Sequence, residues 1–73
     1  MITATEECNF KILTVSDGRM IVSGVYEPGR APTVVSIKST GIYIIYAQTY
    51  NGKKTHKRPL NYPGGNLEYH IEF

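Results

Sequence analysis

The chain has 73 residues, 41% hydrophobic and 19% charged, and a formal net charge of +2 at pH 7. So short a chain makes one domain, 1–73, and buries only roughly 60% of the surface its unfolded form exposes, so a disulfide, a structural metal or self-association is expected to help. Cys8 is the only cysteine, which excludes an intramolecular disulfide and a cysteine-based zinc cage and leaves self-association open.

No stretch approaches the ~18 consecutive apolar residues of a membrane span, and nothing reads as a secretory leader. The expectation is a soluble, cytoplasmic protein with no membrane partner. Stretches free of Gly and Pro are rich in Val, Ile, Thr and Tyr, side chains that suit a pleated surface, so little or no helix is expected.

Residues 1–7 read as a loose tail or a short edge pairing. A first strand is expected from Cys8 to Val15 and a second from Arg19 to Tyr26, joined at Asp17-Gly18, a dipeptide suited to the two positive φ angles of a type I′ turn. Pro28-Gly29 and Pro32 then break any ladder, since proline has no N–H to donate.

A third strand is expected over Thr33–Lys38 and a fourth over Ile42–Tyr50. The fourth holds Ile42-Tyr43-Ile44-Ile45-Tyr46-Ala47, a run with almost no polar alternation, which predicts a central strand covered on both faces. Asn51-Gly52 predicts a second hairpin leading into a fifth, edge strand, Lys53–Arg58, which Pro59 should interrupt.

After a loop, Leu67, Tyr69, Ile71 and Phe73 alternate with Asn66, Glu68, His70 and Glu72, as in a strand with one wet face. Five to six short strands with Gly and Pro turns predict an all-β, single-domain antiparallel barrel or sandwich.

Paired carboxylates, Ser/His/Asp or Cys/His sets, metal-ligand spacings and phosphate loops are not evident, so no catalytic residue, metal site or cofactor is expected. Gly64-Gly65 reads as a turn, and Glu68, His70 and Glu72 read as a solvated strand face.

Charge is more informative. Every acid lies outside Pro28–Leu67, a stretch that carries Arg30, Lys38, Lys53, Lys54, Lys57 and Arg58. With a turn at Asn51-Gly52, Tyr50 lies opposite Lys53, Gln48 opposite Thr55 and Tyr46 opposite Lys57 on one face, while Lys54, His56 and Arg58 take the other. Aromatic rings stack on bases and ammonium groups neutralise phosphates, so Tyr46, Tyr50, Lys53, Lys54, His56, Lys57 and Arg58 form the candidate binding surface.

The leading expectation is therefore a non-catalytic binding module for an acidic partner, nucleic acid before an acidic protein surface. The alternative is a protein-interaction module, such as a small phage-encoded inhibitor or accessory factor that blocks a larger protein. Homo-oligomers through strand edges are compatible with both.

Overall fold

Two glycine-closed loops set the frame. In the computed structural model, which describes residues 1–73, β2 (Cys8–Thr14) and β3 (Met20–Tyr26) form the first hairpin, and β4 (Gly41–Thr49) and β5 (Thr55–Tyr62) form the second. Both connections are wider than two residues and neither is a type I′ turn. Positive φ occurs at Gly18 (68°) and Gly52 (75°), but at no non-glycine residue.

Asn51 stays out of the left-handed region because its side chain is engaged elsewhere. Its Oδ1 accepts from the Lys53 amide at 3.0 Å and from the Thr49 hydroxyl at 2.8 Å. The Gly52 amide meanwhile donates to the Thr49 carbonyl at 2.8 Å, and the strand pair closes where the Thr49 amide donates to the Lys54 carbonyl.

The hairpins join through β2 and β4 into a four-stranded antiparallel sheet of order β3-β2-β4-β5. A bulge between Ile12 and Leu13 shifts the β2–β3 register near its turn. The chain ends make a second sheet, in which β1 (Ile2–Ala4) pairs in parallel with β6 (Tyr69–Ile71). Residues 1–7 thus contain an edge pairing. The fold is all-β, with no helix and no closed barrel.

Three further sequence expectations need correction. Thr33–Lys38 is not a strand. It is an extended segment held by bonds to three separate partners: the Thr33 carbonyl takes the Ile2 amide, the Val35 carbonyl takes the Leu67 amide, and the Ile37 amide reaches the Tyr62 hydroxyl. Of these, Ile2 and Thr33 form an isolated antiparallel bridge.

Pro59 does not end β5. The odd residues of β4 make the ladder bonds to β5, as the Thr49–Lys54 bond shows, so Pro59, opposite Ile44, turns its nitrogen to the free edge.

β4 is central, but it is covered on one face only. Ile45, Ala47 and Thr49 are buried, whereas Ile42 on the other face is 64% exposed.

The covered side holds the core. Cys8, Phe10 and Ile12 from β2, Ile45 and Ala47 from β4, and Leu60 and Tyr62 from β5 meet Ile2, Ala4, Val35, Leu67 and Ile71. Gly24 admits the Phe10 ring, whose Cζ lies only 2.7 Å from where a Cβ would sit. No buried side-chain polar atom lacks a hydrogen-bond partner. No helix is long and apolar enough to cross a membrane.

Candidate functional site

The four-stranded sheet leaves one face uncovered. Alternation along each strand sends Asn9, Lys11 and Leu13, Ser23 and Val25, Ile42, Ile44, Tyr46 and Gln48, and Thr55, Lys57, Pro59 and Asn61 to this face. None of them is acidic.

Register lines the residues up in rows. Ser23, Lys11, Tyr46 and Lys57 form one row across all four strands. In that row the Lys11 Nζ lies 5.5 Å from the centre of the Tyr46 ring, within range of a cation–π contact. The next row is apolar: Met20, Leu13, Ile44 and Pro59. The face therefore has a polar, cationic half towards the second hairpin's tip and an apolar half towards its open end.

A shallow depression of about 420 Å³ runs beside Tyr46, lined by Asn9, Lys11, Ser23, Val25 and Gln48 among others. A more apolar groove of about 350 Å³ lies between Val15, Ile42, Ile44 and Pro59, with Lys57 and Arg58 on its rim.

The seven candidate residues separate in space. Tyr46 and Lys57 share the open row, paired across β4 and β5 as the turn position predicts. Tyr50, 70% exposed, and Lys53 sit at the hairpin tip, whose backbone is tied back where the Tyr50 amide donates to the Glu7 carbonyl at 3.3 Å. Lys54 turns away and forms an ion pair with Glu6 at 2.6 Å. Arg58 donates back to the Lys57 carbonyl at 2.9 Å, at the free edge of β5.

His56 is buried on the core side, 9% exposed. Its Nδ1 lies 3.2 Å from the Glu72 carbonyl, which can only accept, so this nitrogen donates. Its Nε2 then accepts from the Tyr69 hydroxyl at 2.6 Å. The Tyr69 and Phe73 rings meet the imidazole edge-on. His56 is thus a structural tie between β5 and the chain's end, outside the surface on which charge reading placed it.

Lys11 belongs to the row and escaped the charge reading because it stands alone in sequence. The alternation of Cys8, Phe10 and Ile12 with Asn9 and Lys11 is the signal that puts it outside. Nothing local marks β4 as its neighbour, since no short turn joins β2 to β4.

His70 is exposed and bonds Thr3 Oγ1 through Nδ1 at 2.8 Å. No group of three His, Cys, Asp or Glu residues is placed to hold a metal ion. Burial pushes the Cys8 thiol above its ordinary 9.0, which opposes thiolate formation.

No protein-family model matches the chain, and neither a curated protein nor a solved structure matches it.

Proposed function

We propose that this chain is a non-catalytic binding module whose open sheet face engages single-stranded nucleic acid. The observation that carries the reading is the row Lys11–Tyr46–Lys57 on a face with no acidic residue. An aromatic ring on an exposed sheet offers a platform for a base, and a cation on each side meets the backbone phosphates. A base laid on Tyr46 releases Lys11 from the ring to a phosphate. Tyr50 and Lys53 extend the track at the hairpin tip. The two sheets read best as a small sandwich open on one side, and the lone unpaired cysteine fits a reducing, cytoplasmic setting.

The test is fluorescence anisotropy with a labelled single-stranded oligonucleotide over a salt series. Binding should weaken as salt rises. Tyr46→Ala should cost about 1–3 kcal/mol, and Lys11→Glu with Lys57→Glu should reduce the salt slope by about 0.7 for each phosphate left without its lysine. Wild-type binding that ignores salt, or survives both charge reversals, would refute the proposal.

A protein-interaction module is the second reading. It is supported by the apolar half of the same face, where Val15 and Ile42 are 57% and 64% exposed. Its mark would be a complex unaffected by nucleic acid and broken by Ile42→Lys.

A further inference from the structure

The two edges of the four-stranded sheet differ in a way that bears on self-association. Along β5, the free edge meets Lys57, Arg58 and Pro59, a charge pair and a missing donor, which are ordinary protections against strand addition. Along β3, Met20-Ile-Val-Ser-Gly-Val-Tyr26 carries no charge and no proline over seven residues. No backbone–backbone bond outside the β2–β3 ladder reaches it.

The Thr14 amide donates to Arg19, so even residues of β2 face β3, and their partners Val22, Gly24 and Tyr26 face back. Ser23 and Val25 are left with amides and carbonyls at the open edge. The Val25 carbonyl also accepts from the Thr33 hydroxyl at 3.2 Å, which occupies one of its two lone pairs and leaves the other for a ladder bond, and Ser23 lies at the centre of the exposed stretch.

We infer that β3 pairs antiparallel with β3 of a second copy, about a two-fold axis at Ser23, to give a continuous eight-stranded sheet. A two-fold interface must be self-complementary, and this strand is. Pairing about Ser23 sets Val22 against the partner copy's Gly24 and Met20 against its Tyr26. Just beyond, Arg19 faces the other copy's Glu27, twice per dimer; Glu27 already pairs with Arg30 of its own chain at 3.1 Å, and Arg19 would join that exposed pair.

The same alignment makes the two open faces continuous. Ser23 lies in the same row as Lys11, Tyr46 and Lys57. The two rows therefore run on from one another, with the tyrosines five strand spacings apart, roughly 24 Å.

The experiment is light scattering with size-exclusion chromatography on the full chain, without nucleic acid, over a concentration series. Self-pairing is therefore scored apart from oligonucleotide binding. The expected mass is twice the 8.2 kDa of the chain. Ser23→Pro, which removes an edge amide and no β2 bond, should give a folded monomer by circular dichroism. Arg19→Glu should weaken the dimer roughly tenfold, and adding Glu27→Arg should restore it. The Arg19→Glu series decides the matter even where the proline variant fails to fold. A wild-type monomer at every concentration, or a dimer indifferent to Arg19→Glu, would overturn the inference.

Discussion

His56 and Tyr69 show how one buried contact serves two elements. β5 and the last strand are not joined by a backbone ladder, and the imidazole spans the gap by donating to Glu72 and accepting from Tyr69. Burial pushes the Tyr69 phenol above its ordinary 10.0, against a smaller opposing pull from Arg58. Burial raises the Cys8 thiol likewise, with a smaller lowering by the Tyr26 backbone. Both groups keep their protons longer folded than unfolded. Their contribution is therefore complete below the unfolded values and is lost as pH rises from about 9 through the raised folded values. The urea midpoint should hold near neutrality and fall on the alkaline side, and Cys8→Ala with Tyr69→Phe should flatten that fall. A fall of the same steepness in the double variant would show that other groups govern alkaline unfolding.

Within β4, two isoleucines three residues apart, on opposite faces, test which face is inside. Ile45 is fully buried between β2 and β5, so Ile45→Ala should cost about 2–5 kcal/mol. In a domain of this size that lowers Tm by at least about 8 °C. Ile42→Lys on the open face should stay within about 0.5 kcal/mol of wild type. Thermal unfolding of the two variants checks this, and equal losses would mean that the outer face is covered in solution. The apolar run of β4 predicted two covered faces because an unbroken apolar run carries no alternation to mark its wet face, and here Ile42, Ile44 and Tyr46 are apolar on the uncovered side.

Other elements show where local pattern stops informing. Val35 and Ile37 turn inward and Val34, Ser36 and Lys38 outward, so the side-chain alternation of Thr33–Lys38 is genuine. What is missing is a neighbouring strand, and periodicity reports burial without reporting hydrogen-bond partners. The Asn51-Gly52 reading gave the right cross-strand pairs with the wrong loop, because the Thr49 and Asn51 side chains stabilise a wider turn on the same register. Tyr46 opposite Lys57 was legible from that turn. Lys11 beside Tyr46 was not, since it depends on a pairing between distant segments.

At the scale of the whole molecule, the parallel ladder joins the two ends of the chain. The Tyr69 amide donates to the Met1 carbonyl and the Thr5 amide to the Ile71 carbonyl, each at 3.0 Å. The first residues of the sequence carry little pattern of their own, and Ile2 and Ala4 join the core on a strand paired with Tyr69–Ile71 across the length of the chain. This geometry gives the domain a mechanical direction. A tension applied at Met1 and Phe73 runs along two parallel strands, so their bonds carry the load together in shear. Tension applied at Gly41 and Tyr62, the open end of the second hairpin, meets one bond at a time. Single-molecule pulling should record a higher rupture force for the first pair of handles than for the second, and equal forces would count against the end-to-end clamp. A domain linked in series through its ends would then resist stretch through six residues, Ile2–Ala4 and Tyr69–Ile71.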